Sequence, residues 1–268
     1  MGKTLNIAHR GGAALKPENT LAAFSAAITR GCDGAELDVQ LSADGVAVVH
    51  HDFQLNPGLT RKDGHWLAGA TLRIKDLTFS QLQRFDLGRP DPGSDYARTH
   101  PALVTCDGTR IPSLAEVAAL VSPQPFTLLV ELKSSNDPAS ADPVALADAA
   151  LGVMKDQLAR TIFVGFDWRG LARIKAKAPE ARCWFTTDKL QGDARPVLDL
   201  IKAAGGDGWF PCYQDATATL TAEARTRGLQ VAAWTVNDPA EMARLIGQGL
   251  DAICTDRPDL LKALEQRG

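Results

Sequence analysis

The stretch GAELDVQLSADGVAVVHHD, residues 34–52, predicts a β-hairpin with charged side chains in unusual places. Residues 34–40 form its first strand and residues 46–51 its second, and the Asp-Gly pair between them is typical of a hairpin turn. Because alternate residues of a strand point to the same side, Glu36 and Asp38 share one face. An apolar core would reject two carboxylates, so we expect this face to meet water or a cation.

On both sides of the hairpin, short apolar runs alternate with helix-like segments. Besides the hairpin, the predicted strands lie at 5–11, 126–133, 161–166, 181–187, 207–213, 229–236 and 250–256. The predicted helices lie at 20–30, 113–121, 143–158, 168–177, 195–203, 217–227, 238–247 and 258–266. With the hairpin counted once, this is the α/β element order of a (β/α)8 barrel, the TIM barrel. A doubly wound open sheet is the alternative, but no G-x-G-x-x-G turn follows the first strand.

Residues 53–112 interrupt this alternation. The segment is rich in Pro, Gly and Asp and is far longer than an ordinary connection between elements. We therefore expect residues 1–52 and 113–268 to form one barrel. Residues 53–112 are then a small inserted subdomain that follows the second strand and lies over the barrel mouth.

Composition excludes several classes of partner. The 29 Lys and Arg residues nearly balance the 32 Asp and Glu residues, so the chain lacks the basic excess typical of nucleic-acid binding. The five cysteines are odd in number and form no C-x-x-C pair, which predicts reduced thiols in a reducing compartment. Without an apolar run of about 18 residues or a signal-peptide pattern, we expect a cytoplasmic protein with no stable membrane anchoring. The sequence carries no prediction of the oligomeric state.

Polar side chains cluster where the predicted strands end. They are His9, Arg10, Glu36, Asp38, His51, Asp52, Glu131, Lys133, Trp234, Thr255 and Asp256. In a barrel of this kind, chemistry gathers at the C-terminal ends of the strands. We therefore expect these side chains to meet at one rim.

Three acids at this rim predict a metal site. Glu36, Asp38 and Glu131 would repel one another unless their pKa values shift or they share a cation. Their ligand atoms are all oxygens, which favours Mg²⁺ or Ca²⁺ over zinc. The alternative is that they form ordinary salt bridges with Arg10 and Lys133.

The remaining rim residues predict acid–base chemistry on an anion. His9 and His51 can each donate or accept a proton near neutral pH, so they suit an acid–base pair. Arg10 and Lys133 would complement an anion with several oxygens, such as a phosphate, although a carboxylate would satisfy them as well.

Several sequence blocks together resemble the glycerophosphodiester phosphodiesterase family. They are HRGGAALKPENT (9–20), ELDVQLSADGVAVVHHD (36–52), VELK (130–133), AWTVN (233–237) and GLDAICTDRPDLL (249–261). The resemblance implies a catalytic TIM barrel with an insertion after the second strand. It also implies a small-molecule phosphodiester substrate, such as glycerophosphocholine or glycerophosphoethanolamine, cleaved to sn-glycerol 3-phosphate and an alcohol.

The resemblance also assigns roles to residues of this chain. It implies metal ligands at Glu36, Asp38 and Glu131, catalytic histidines at His9 and His51, phosphate contacts at Arg10 and Lys133, and an aromatic on the glycerol side at Trp234. Glu18 and Asn19 are expected to organise the first loop. The alternatives are a lysophospholipase D-like activity and a non-catalytic barrel that binds glycerophosphate.

Overall fold

A computed structural model describes residues 2–68, 72–137 and 139–266, and it forms a closed barrel of eight parallel strands surrounded by helices. The barrel strands are β1 (Leu5–Ala8), β2 (Gly34–Leu41), β6 (Thr127–Leu132), β7 (Thr161–Gly165), β8 (Arg182–Thr187), β9 (Gly208–Pro211), β10 (Gln230–Ala233) and β11 (Ala252–Thr255). The outer helices are α1 (Leu21–Thr29), α4 (Leu114–Val121), α5 (Pro143–Met154), α6 (Trp168–Lys177), α7 (Arg195–Ala203), α8 (Ala218–Thr226), α9 (Pro239–Gly247) and α10 (Pro258–Glu265). The predicted TIM barrel is confirmed.

The barrel closes because the first strand pairs with both the last strand and the second. β1 lies parallel to β11, with Ala8 opposite Thr255, and parallel to β2, with Ile7 opposite Gly34. Closure leaves no exposed edge among the parallel strands. It also brings residues near both ends of the chain to one side of the barrel mouth.

The predicted hairpin is present, but its second strand is short. β3 (Ala47–Val49) runs antiparallel to β2, with Val39 opposite Val49. Gly45 has a φ of 76°, the left-handed conformation that this turn requires. His51 therefore lies in the turn that follows β3 rather than in the strand.

The first strand also ends earlier than predicted. The sequence predicts a strand over 5–11, whereas His9–Gly11 form one 3₁₀ turn after β1. Arg10 has a φ of 50° and Gly11 a φ of 83°. Positive φ angles cannot continue a strand, so the chain turns across the barrel mouth here.

Side chains of the strands alternate between two apolar layers. Outward residues such as Leu37, Val39, Leu128 and Val130 pack beneath the helices. The inward residues are Ile7, Leu129, Ile162, Val164, Trp184, Phe210, Ala232, Ala252 and Cys254. Glu36, Asp38 and Glu131 face inward by the same period-2 rule. Glu36 lies opposite Leu129, and Asp38 and Glu131 lie one inward position nearer the mouth.

The outer helices begin at capping side chains that the local sequence supplies. Thr20 accepts a hydrogen bond from the Ala23 amide at the start of α1. Asp142 and Asp238 cap α5 and α9, and each of those helices has proline in its first turn. These caps fix where each loop at the mouth ends.

The segment 53–112 has its own elements and its own apolar cluster. Its elements are β4 (Arg61–Lys62), β5 (His65–Trp66), α2 (Phe79–Leu82) and α3 (Asp95–Thr99). Its cluster is formed by Leu55, Ile74, Leu82, Phe85, Leu87 and Ile111, together with Val48 of β3. Residues 69–71 of the predicted insertion, and residues 1, 138, 267 and 268 of the predicted barrel, lie outside the described residues.

Two further features bear on the expectations from composition. All five cysteines are free thiols. Across 2–68, 72–137 and 139–266, no helix combines the length and the apolar character that crossing a membrane requires.

Leu129 provides a test of the inward layer. It is fully buried inside the barrel, so Leu129→Ala should lower the free energy of unfolding by about 2–5 kcal/mol, because it removes apolar burial and leaves a cavity. Leu200→Ala is the matched control, since Leu200 on α7 is 59% exposed and its loss should cost little. Urea denaturation of both variants measures the difference, and equal stabilities would contradict this packing.

Candidate active site

Strand register brings the three predicted acids together at the barrel mouth. Asp38 lies directly opposite Glu131 on the neighbouring strand, and Glu36 precedes Asp38 on the same inward face. One carboxylate oxygen from each residue lies within 4.8 Å of the others. Glu36 and Asp38 are almost completely buried and Glu131 is 9% exposed. The predicted triad is therefore one compact cluster.

The charges in this cluster are not fully compensated by protein groups. Burial, and then the charges of Asp38 and Glu131, raise the pKa of Glu36 well above its ordinary value. Its buried Oε1 has no hydrogen-bond partner among the described residues. Three carboxylate groups with a buried unpartnered oxygen fit a hard divalent cation in both charge and donor type.

Asp38 differs from Glu36 because it has cationic neighbours. Burial alone would raise the pKa of Asp38, but the charges of Arg10, His51 and Lys133 hold it well below its ordinary value. The Asn19 amide donates to Asp38 Oδ2 over 2.8 Å. Asn19 adopts a φ of 56°, so the first loop presents this amide to the acid. Asn19 therefore links the first loop to β2.

The salt bridges of the alternative interpretation are present as well. Lys133 Nζ lies 2.9 Å from Glu131 Oε1 and 3.7 Å from Asp38 Oδ1. Arg10 Nε lies 3.2 Å from Asp38 Oδ2. These pairs engage Asp38 and Glu131, whereas Glu36 Oε2 accepts a hydrogen bond of 3.1 Å from the Arg10 backbone amide. Salt bridging therefore leaves the charge of Glu36 poorly compensated.

His9 is held by the aspartate that directly follows the last barrel strand, Asp256. Its Nδ1 lies 2.6 Å from Asp256 Oδ1, and its Nε2 lies 3.8 Å from Glu36 Oε2. Burial opposes ionisation of Asp256, but the hydrogen bond and charge of His9 lower the pKa of Asp256 to about 2. An ionised Asp256 accepts from Nδ1–H and leaves Nε2 directed toward the carboxylates.

The sequence predicts that Asp256 lies at the rim but predicts no role for it. The contact with His9 could have been predicted from the barrel topology. In a closed barrel the first and last strands are neighbours, and Ala8 pairs with Thr255, so the residues that directly follow the two strands meet. The Asn237 amide then donates to Asp256 Oδ2 over 2.7 Å and fixes the carboxylate.

His51 has a similar arrangement built from local residues. Its Nδ1 lies 2.7 Å from Asp52 Oδ1, and Asn56 donates to the other oxygen of Asp52. Burial opposes ionisation of Asp52, yet the hydrogen bond from His51 lowers its pKa to about 2. Gln40 Nε2 donates to the carbonyl oxygens of His50, His51 and Asp52 over 2.7–3.1 Å. Sequence reasoning missed Gln40, although it is the inward residue that follows Asp38 on β2.

Two adjoining cavities meet at this cluster. The smaller, of about 330 Å³, is bounded by His9, Arg10 and Glu36 on one side and by Phe210 and Trp234 on another. The larger, of about 630 Å³, lies between residues 52–57 and residues 133–135 with Asp137 and Ala139. Both cavities are lined by His51, Glu131, Lys133 and Phe166. These four residues mark the boundary between the two spaces.

Trp234 forms a wall of the smaller cavity. Its ring contacts Phe166 edge-on, with the ring centroids 5.2 Å apart. Its indole N–H donates to the Phe210 carbonyl over 3.1 Å. These contacts hold the ring in place, so that the cavity has one fixed aromatic side.

Comparisons with known proteins agree on one family. The sequence model of the glycerophosphoryl diester phosphodiesterase family matches residues 9–260. A glycerophosphodiester phosphodiesterase of Caldanaerobacter subterraneus subsp. tengcongensis is 31% identical, with 99% of each chain covered. A Silicibacter pomeroyi crystal structure described under the same family name is 32% identical, with a TM-score of 0.91 over 99% of this chain and 95% of that one.

One structural relative was solved with a reaction product. It is an Oleispira antarctica phosphodiesterase in complex with sn-glycerol-3-phosphate, which is 25% identical to this chain. The TM-score is 0.78, over 97% of this chain and 96% of that one.

Glu36→Gln tests the cation site without an activity assay. After EDTA treatment, this variant should have a melting temperature equal to or higher than that of the wild type. The substitution replaces a buried carboxylate, which Asp38 and Glu131 repel, with a neutral amide. Saturating Mg²⁺, Ca²⁺ or Mn²⁺ should stabilise the wild type by about 2–3 kcal/mol at a hundredfold excess over Kd, and the variant much less. Calorimetry with and without metal measures both effects. Glu180→Gln, at an exposed position, is the control, and an unchanged metal response in Glu36→Gln would contradict the assignment.

Proposed function

Because the chain belongs to the glycerophosphoryl diester phosphodiesterase family, we propose that it hydrolyses glycerophosphodiesters to sn-glycerol 3-phosphate and an alcohol. It is accordingly a hydrolase of phosphoric diesters. The observation that carries the proposal is a cluster of three acids beside two histidines and two basic side chains, all of which except Asp38 line one pair of cavities. The complex of the Oleispira antarctica relative with sn-glycerol-3-phosphate supports the proposed product.

The acid cluster is the proposed cofactor site. Glu36, Asp38 and Glu131 would hold one divalent cation, Mg²⁺ or Ca²⁺, through carboxylate oxygens. Such a cation, when bound, supplies Lewis-acid polarisation of the phosphoryl oxygens. Two properties of Glu36 support a cation at this position: its Oε1 has no hydrogen-bond partner among the described residues, and the pKa of its carboxyl group is raised.

Arg10 and Lys133 are the proposed phosphate contacts. Burial opposes their charged forms, but the surrounding carboxylates raise the pKa of both side chains above the ordinary values. Both therefore stay protonated throughout the neutral range. Two fixed positive charges beside the acid cluster would stabilise the negative charge that builds up on the phosphoryl oxygens.

The two cavities fit the two arms of a diester. The smaller, with Trp234 as its fixed aromatic wall, has room for a glycerol phosphate. The larger would receive the alcohol. It is lined in part by residues 53–57, which begin the segment 53–112. We therefore propose that this segment is an inserted subdomain that shapes access to the catalytic barrel.

The positions of the two histidines in the cavities support different tasks for them. His51 lines both cavities, so it can reach the oxygen that departs with the alcohol and act as general acid. His9 lines the smaller cavity, on the glycerol side, and suits the general base. That base would activate either water or the glycerol 2-hydroxyl. Asp256 and Asp52 keep the Nε2 atoms of His9 and His51 free for these transfers.

A lysophospholipase D-like activity is the second candidate. The larger cavity is partly lined by Phe53, Leu55 and Phe166, and this apolar surface could accept an acyl chain. Such a substrate would need its acylated glycerol, rather than the alcohol, in the larger cavity. The five free cysteines favour a reducing compartment such as the cytoplasm for either activity.

A coupled assay tests the proposed reaction. The wild type should release sn-glycerol 3-phosphate from glycerophosphocholine or glycerophosphoethanolamine, EDTA should stop the release, and added Mg²⁺, Ca²⁺ or Mn²⁺ should restore it. Lysophosphatidylcholine in the same panel, followed by the release of choline, measures the second candidate. If no substrate turns over with any of these metals, a non-catalytic glycerophosphate-binding barrel becomes the better description.

Leaving-group dependence tests the tasks of the histidines. His9→Ala and His51→Ala should each lower kcat on glycerophosphocholine by about 10²–10⁴ while metal-induced stabilisation is retained. A p-nitrophenyl diester of glycerol phosphate has a leaving group that needs no proton. On that substrate His51→Ala should recover most of its loss and His9→Ala should not. The reverse pattern would exchange the two assignments.

A further inference from the structure

The loop that carries Arg10 is held from outside the barrel by the inserted segment. Tyr96 lies on the short helix α3 of that segment, and its hydroxyl donates to Glu18 Oε2 over 2.8 Å. The other oxygen of Glu18 accepts a hydrogen bond of 3.0 Å from Arg10 Nη1. One carboxylate therefore links the insertion to a side chain of the reaction centre.

Arg10 depends on such support because of its own conformation. Its φ of 50° lies in a region that residues with a side chain seldom occupy. Its backbone amide is committed to Glu36, and its Nε faces Asp38. A long guanidinium side chain has several rotamers, so a fixed partner at Nη1 restricts how it can meet a phosphate.

Tyr96 is itself well fixed. Its ring stacks on His100, with centroids 4.1 Å apart and an interplanar angle of 17°. The Val104 amide donates to the Leu15 carbonyl, which ties the insertion to the same first loop. Burial, and then the charge of Glu18, raise the pKa of Tyr96, so its hydroxyl remains a proton donor at neutral pH.

We propose that Tyr96 is a positioning residue for Arg10 and acts through Glu18. The inserted segment thereby contributes to phosphate binding without contacting the phosphate. The role of Arg10 rests on the proposed function, whereas the Tyr96–Glu18–Arg10 link rests on the hydrogen bonds alone.

A double-mutant cycle on anion affinity tests the link. Tyr96→Phe, Glu18→Gln and the double variant are compared with wild type by calorimetric titration with inorganic phosphate and with sn-glycerol 3-phosphate. Each single change should weaken binding by roughly three- to tenfold, and the double variant should be no weaker than the weaker-binding single variant, because both changes break the same link. In turnover assays, KM should rise more than kcat falls.

The chain supplies a matched control. It has two tyrosines, and Tyr213 makes its hydrogen bond to Trp234 through the backbone, so Tyr213→Phe should leave anion affinity unchanged. The melting temperature of each variant separates loss of positioning from loss of folding. Unchanged affinity in Tyr96→Phe at a wild-type melting temperature would overturn the inference, and so would strictly additive losses in the double variant.

The same experiment separates this inference from the proposed function. If the wild type binds phosphate but hydrolyses no glycerophosphodiester, the proposed function fails. The double-mutant cycle on phosphate affinity then still tests the Tyr96–Glu18–Arg10 link. If the wild type hydrolyses its substrate while Tyr96→Phe binds phosphate normally, only the inference fails. A wild type that binds neither anion would overturn the role given to Arg10, and the inference with it.

Discussion

Three carboxylates buried within 4.8 Å of one another are the constraint around which the barrel mouth is organised. Their repulsion opposes folding, so each needs a partner. Asp38 and Glu131 lie against Arg10 and Lys133, whereas Glu36 keeps an oxygen without one. The fold thus retains a local charge conflict that a more stable arrangement would remove. Stability given up at one place in this way is typical of a functional site.

Much of this architecture follows from patterns that can be found along the chain. Period-2 alternation in β2 and β6 predicts that Glu36, Asp38 and Glu131 face inward, and the alternation of strand and helix predicts the barrel. The alternation within a strand is local, and the alternation of strand and helix repeats many times along the chain. Tertiary packing therefore does not override the structure that either pattern predicts. The strand ends were less predictable, because the turn at His9–Gly11 depends on positive φ angles at two residues.

The supporting contacts could not be predicted because they join residues far apart in sequence. Asp256 reaches His9 only when the first and last strands pair, and Tyr96 reaches Glu18 only when the segment 53–112 folds back on the first loop. Gln40 was hidden for a different reason, since its amide binds backbone carbonyls, which have no sequence signature. The reactive groups of a site can therefore be anticipated from their chemistry, whereas the groups that orient them follow from the completed topology.

The pairing of β1 with β11 has a consequence for synthesis of the protein on the ribosome. His9 is translated 247 residues before Asp256. Until the final strand has left the exit tunnel, the barrel has an open seam and His9 lacks its carboxylate partner. A nascent chain therefore holds both histidines and all three acids long before it can align them. The contact between His9 and Asp256 forms only after β11 has emerged and closed the seam.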